Sequence, residues 1–170
     1  MEYRRIEVRD RKGIYDSVAE SLKKDIRDLG IKTVRDVEYI QVYTLGGSLN
    51  ADKMRKVAEE ILTDKVSQEY NSSGGFNPKK GSRAHVVEIA YNPGVMDPVE
   101  ESTMKAIRDL GIKGVTSVST SKKYIFSGKL AKKQAGTITE KLLYNRMIQH
   151  VVTIPRKRRN SSRMLSRLLR

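Results

Sequence analysis

Ile26-Arg-Asp-Leu-Gly-Ile-Lys32 recurs, residue for residue, as Ile107-Arg-Asp-Leu-Gly-Ile-Lys113. The offset is 81, and it holds without a gap from residues 6–70 onto 87–151, where 22 of 65 positions are identical. The identities include Gly13/Gly94, Asp16/Asp97, Glu20/Glu101, Ser21/Ser102, Tyr43/Tyr124, Gly47/Gly128 and Leu62/Leu143. Two copies make a duplicated unit, since a solenoid needs at least about three repeats to bury a continuous core. The heptapeptide itself reads as a helix stop. Gly30 and Gly111 can take the left-handed conformation after the last turn. Ile31 then folds back on Ile26, and Ile112 on Ile107, the hydrophobic contact of a Schellman motif.

Working outward, each copy gives the same order of elements. Ile6-Glu-Val8 and Val87-Glu-Ile-Ala-Tyr91 alternate apolar and polar residues and read as strands. Gly13-Ile-Tyr-Asp16 and Pro93-Gly-Val-Met-Asp97 are turns that end in a helix N-cap, and Pro98 at the first helical position strengthens the second. Val18, Leu22, Ile26 and Leu29 then fall on one helix face. Val34–Leu45 and Val115–Phe126 read as one long bent strand or two in succession. Val37, Tyr39, Gln41, Tyr43 and Leu45 share one face of it. Ile40 and Val42 lie on the other face, matched in the second copy by Ser121 and Lys123, so the first copy is expected to be the more buried. A second helix carries Met54, Val57, Ala58, Ile61 and Leu62, with Ala135, Ile138, Leu142 and Leu143 as counterparts. A last strand follows at Val66–Tyr70 and Met147–Val151. The expected order is β-α-β-β-α-β, an α+β sandwich with its helices on one sheet face.

A unit of this length buries only about 60% of its unfolded surface and is marginal alone. The two copies are therefore expected to pack together or to pair with another chain. The pattern divides the chain into a first domain at 1–70, a flexible linker at 71–85, a second domain at 86–154 and a basic tail at 155–170. Asn71-Ser-Ser-Gly-Gly-Phe-Asn-Pro-Lys-Lys-Gly81 has linker composition.

The 170 residues hold 34 basic and 20 acidic side chains, for a formal net charge of +14. The excess is not spread evenly. Residues 1–70 are neutral, and seven basic residues with no acid occupy 155–170. Charge counted along the chain thus points away from a nucleic-acid surface on the fold and leaves that role to the tail. The chain has no cysteine, which excludes disulfides, thiolate metal sites and a cysteine nucleophile. His85 and His150 are its only histidines and supply neither a zinc site nor a triad. No signal-peptide core and no run of about 20 apolar residues is present. Phosphate-loop and dinucleotide glycine motifs are also missing. Tyr39, Tyr43 and Tyr124 sit on a sheet as base-stacking residues would, but core or interface packing explains them better and the companion basic-glycine-aromatic string is absent.

Taken together, the stretches Tyr3-Arg-Arg-Ile-Glu-Val8, Gly13-Ile-Tyr-Asp16, Asp28-Leu-Gly-Ile31, Val34-Arg-Asp-Val37, Val42-Tyr-Thr-Leu-Gly-Gly47 and Ala58-Glu-Glu-Ile-Leu62 resemble the PurS-type small subunit of phosphoribosylformylglycinamidine synthase. Pro93-Gly-Val-Met-Asp-Pro98, Glu101-Ser102, Asp109-Leu-Gly-Ile112 and Lys122-Lys-Tyr124 carry the likeness in the second copy. The resemblance implies two tandem PurS-like sandwiches with antiparallel sheets. It implies a cytoplasmic, non-catalytic part in purine biosynthesis, bridging a synthetase large subunit and a glutaminase for ammonia transfer within an ATP-dependent ligase. No catalytic residue, cofactor or metal is then expected on this chain; ATP and Mg belong on the synthetase partner. Expected at an interface are Lys122, Lys123, Tyr124, Tyr43, Ile40, Val42, Asp16 and Asp97. The family's Gly-Lys between the middle strands is Ile40-Gln41 in the first copy and Ser121-Lys122 in the second, so only Lys122 can act as that lysine. Such tandem modules resemble the front of fused synthetases, so the chain is either the start of one or a subunit acting in trans. Two other readings stay open, a nucleic-acid-binding module gripping through the tail and a ligand-sensing regulatory dimer.

Overall fold

The heptapeptide ends a helix in both copies, as its glycine allows. In the computed structural model, which describes residues 2–153, Gly30 has φ +82° and Gly111 φ +68°. The Ile31 N–H donates to the Ile26 carbonyl at 3.2 Å and the Gly30 N–H to that of Arg27 at 2.9 Å. Ile112 and Gly111 repeat both bonds, at 3.1 and 2.9 Å. These are the paired bonds of a Schellman stop. The expected basic tail at 155–170 lies outside the described residues.

The elements are β1 (Tyr3–Asp10), α1 (Ser17–Asp28), β2 (Val34–Gly47), α2 (Ala51–Val57), β3 (Gln68–Asn71), β4 (Ala84–Tyr91), α3 (Pro98–Asp109), β5 (Val115–Gly128), α4 (Lys132–Ile138) and β6 (Gln149–Val151). Helix α2 continues as a π-helical turn over Ala58–Leu62, and α4 over Thr139–Leu143. From β4 to the second π turn, each element starts and ends 81 residues after its counterpart. The middle segment is one 14-residue strand in each copy, so the order is β-α-β-α-β and not the expected β-α-β-β-α-β.

A second correction concerns the layers. In place of two sandwiches there is one six-stranded antiparallel sheet, ordered β3-β1-β2-β5-β4-β6. The long strands β2 and β5 pair along their whole length, from Val34 opposite Gly128 to Gly47 opposite Val115. The physical reason is that a three-stranded sheet leaves its longest strand as an open edge, a row of unpaired amides and carbonyls. Each copy closes the other's edge. Gly47 and Gly128 make that closure possible at the strand ends. A Cβ on Gly47 would lie 1.9 Å from the Gly114 carbonyl oxygen, and one on Gly128 2.2 Å from that of Thr33.

The helices follow the same exchange. One core packs Ala19, Leu22 and Ile26 of α1 against Val87, Ile89, Tyr124, Phe126, Ile138 and Leu143 of the second copy. The other packs Ile107 of α3, with Ile112, against Ile6, Val8, Leu45, Met54, Val57 and Leu62 of the first. Neither copy owns a complete core. Val18 departs from the expected stripe and is exposed; Ala19 takes its place against the sheet.

The sheet's other face is apolar at its centre, where Ile40, Val42 and Ile125 are buried beneath Phe76, Ala84 and Val86. Phe76 comes from the segment expected to be a flexible linker. It is fixed by an N–H bond to Glu7 at 2.7 Å and by the Arg9 guanidinium 4.0 Å over its ring, a cation–π contact of about 1 kcal/mol. The first copy is the more buried on this face, as expected, but by a small margin. Ser121 and Lys123 are themselves buried, because Lys123 has a carboxylate to meet there.

Candidate functional site

Six of the eight residues expected at an interface lie on β2 and β5, the two strands of the seam. Strand register puts Gln41 opposite Lys122. These two are repeat counterparts, so the approximate two-fold axis relating the copies passes between them. On the helix face, the Tyr39 hydroxyl donates to the Gln41 side-chain oxygen at 2.7 Å, and the Gln41 amide donates to the Ser121 carbonyl at 3.2 Å. Lys122 is exposed beside them. Tyr124 is buried against Tyr39, centroids 5.6 Å apart, and Phe126, 6.3 Å apart. Burial pushes the Tyr124 phenol up to about 12. Burial raises Tyr39 and Tyr43 as well, helped by neighbouring phenols and Asp16 at Tyr39 and by Asp97 at Tyr43. All three are therefore neutral phenols at physiological pH and serve as walls with one polar tip.

Asp16 and Asp97 hold the first turns of α1 and α3. Asp16 accepts from the Ala19 N–H and Asp97 from the Val99 N–H, each at 2.9 Å, the usual service of an N-cap. The second Asp97 oxygen accepts the Thr120 hydroxyl. Each aspartate borders a cleft. That at Asp97 is about 140 Å³, with Glu100, Ser119 and Thr120 in its wall and Arg5 and Glu88 entering from the far side of the sheet. Its counterpart at Asp16 is about 550 Å³ and bordered by Asp10, Arg11, Glu20 and Tyr39. Burial raises the Glu100 carboxyl, with Asp97 and Glu101 adding to it, and burial with Asp10 raises that of Asp16. Among the described residues no cluster of three or more histidines or carboxylates is placed to hold a metal.

The opposite face carries a buried charge network that the sequence reading missed. Arg5 donates to Glu7 at 2.7 and 2.9 Å and to Glu88 at 2.8 and 2.9 Å. Lys123 meets Glu7 at 3.0 Å and donates to the Phe76 carbonyl at 2.5 Å. The Ser121 hydroxyl donates to Glu88 at 2.5 Å. Burial alone would raise the Glu88 carboxyl, but the Arg5 hydrogen bonds and charge, with Ser121 and Lys123, hold it below its ordinary value. Burial would lower Arg5, but the Glu88 and Glu7 carboxylates hold it above its own. Two carboxylates and two cations balance, which is what permits burial at all. One signal was available in the sequence. Glu7 and Glu88 are identical at the offset of 81, each between two apolar residues on a first strand.

The structure thus separates the expected residues. Lys122 is exposed at the seam, Tyr43 is half-buried, and Asp16 and Asp97 are caps. Ile40, Val42, Lys123 and Tyr124 are enclosed within this chain.

Residues 84–154 match the family model described as PurS: Phosphoribosylformylglycinamidine (FGAM) synthase. The match is to a domain, and it covers the second half of the fold. The match takes in β4 through β6, and with them Glu88, Asp97, Ser121, Lys122, Lys123 and Tyr124. Comparison with curated proteins gives no match to the chain. The matched segment completes its sheet and both cores with the first half. No helix among the described residues is long and apolar enough to cross a membrane.

Proposed function

We propose that the chain is a non-catalytic component of FGAM synthase in purine biosynthesis, with both halves acting as PurS modules. The match over residues 84–154 carries this reading. The first half supports it by repeating every element of the matched segment and supplying half of one core and most of the other. In this reading the protein bridges a synthetase large subunit and a glutaminase in the cytoplasm and shapes the path of ammonia between them. ATP and Mg are bound by the synthetase subunit. The docking surface centres on exposed Lys122, between the α1–α4 and α3–α2 helix pairs.

The test is gel filtration with light scattering of this chain mixed with a synthetase large subunit and a glutaminase, with glutamine and Mg-ADP present. Co-elution at the summed mass is expected, and Lys122→Ala should weaken it without changing the chain's own melting temperature. A chain that stays at its own mass under these conditions would overturn the bridging role.

A further inference from the structure

Charge that is scattered along the sequence is gathered by the fold at one end of the sheet. The end where β2 begins carries Lys32 and Arg35. Gly128, at the end of β5, pairs with Val34 there and takes a 3.0 Å bond from its N–H to the Arg83 carbonyl. This brings the segment holding Lys79, Lys80 and Arg83 to the same end. The chain after Gly128 adds Lys129, Lys132 and Lys133, anchored by the Thr33 hydroxyl 3.5 Å from the Gln134 side chain. All eight cations are exposed. Among the described residues none is in an ion pair; the adjoining Asp36 is already engaged by Lys23 at 3.6 Å, and Asp28 closes α1 nearby. The repeat-related end is different. There Glu2, Ser48, Ala51 and Asp52 occupy the positions of Arg83, Lys129, Lys132 and Lys133.

We propose that this end of the fold is a sequence-independent binding site for the phosphate backbone of nucleic acid. The proposal goes beyond the FGAM synthase reading and does not depend on it. Three observations favour nucleic acid over an acidic protein. The cations come from three separate segments that meet at one end of the sheet, an arrangement suited to a linear polyanion. None of the exposed large hydrophobic residues lies in those segments, so the patch lacks the apolar anchors of a protein interface. No exposed aromatic accompanies the lysines, which leaves phosphate contacts without base readout.

The test is fluorescence anisotropy with the full chain and a labelled oligonucleotide of roughly 20 nucleotides, in two unrelated sequences, from roughly 50 mM salt upward. Two variants are compared with the parent. One is K79S/K80S/K132S/K133S; the other replaces the seven basic residues of 156–170 with serine. Equal affinity for both sequences is expected, with log K falling linearly against log salt. The four-lysine variant should bind at least about tenfold more weakly, and its salt slope should fall by about 3. The same loss should appear in the tail-neutralised background. An unchanged slope in the four-lysine variant would overturn the proposal and assign any binding to the tail. Absence of binding at low salt, alongside capture of polyglutamate, would overturn it in favour of an acidic protein partner.

Discussion

Lys123 and Glu7 show how much one side chain can decide. Both are almost wholly buried, and they meet at 3.0 Å. Lys123→Met should cost roughly 3 kcal/mol, because it leaves Glu7 buried beside Arg5 alone, with Glu88 competing for the same guanidinium. Adding Glu7→Gln should return part of that loss, a coupling that a double-mutant cycle by chemical denaturation measures. Gln41 illustrates a smaller effect of the same kind. It faces Lys122 across the axis, so Gln41→Lys sets two ammonium groups opposite each other. A loss of about 0.5 kcal/mol is expected, shrinking as salt is added. Glu88 gives a pH dependence with a definite sign. Its carboxyl sits below the ordinary value of 4.5 in the folded protein. The stability it supplies is present above that value and is lost as pH falls through the lowered one. Denaturation midpoints measured from pH 7 downward should therefore drop in acid, and Glu88→Gln should flatten part of that drop.

The elements were largely legible because the sequence states each of them twice. Helix stops, N-caps and strand alternation read the same way in both copies, and the observed α1, α3 and exit glycines stand where those signals put them. The length of β2 and β5 was not legible, since a long apolar-alternating run gives no mark that separates one strand from two. The seam was hidden for a related reason. Both copies carry the same edge strand, and nothing local says what a free edge will pair with. The buried side of Lys123 was missed because a lysine in a strand is read as solvent-facing until its partner is known. That partner, Glu7, lies 116 residues away. The glycines at this scale can be ranked. Gly30→Ala meets no atom within 4 Å and pays only for its left-handed backbone, about 1 kcal/mol. Gly47→Ala drives a methyl into the Gly114 carbonyl and should cost about 3 kcal/mol, the larger fall in melting temperature.

For the whole molecule, the interleaved cores predict a single unfolding event. Ala19 and Leu22 cannot leave the sheet without exposing Ile138 and Leu143 of the other half. Near-ultraviolet signal from the tyrosines and far-ultraviolet signal from the helices should lose amplitude at the same temperature. Two transitions would show that the halves melt separately. The whole-molecule charge pattern also shows what counting along a chain conceals. Residues 1–70 are neutral, yet they supply Lys32 and Arg35 to the most basic end of the fold. Only the closure of β2 on β5 places them beside Arg83 and Lys129.

The seam also governs how the two halves respond to dilution. Were β2 and β5 on separate chains, their union would follow the square of protomer concentration and dissolve on dilution. Tethered by residues 72–83, the two strands meet at an effective concentration in the millimolar range whatever the cell supplies. Scarcity cannot take the pair apart. Because each half always meets the same partner, the two are also released from being alike. Glu7 can rely on a lysine that its own copy lacks, and one end of the molecule can gather positive charge while the other stays neutral.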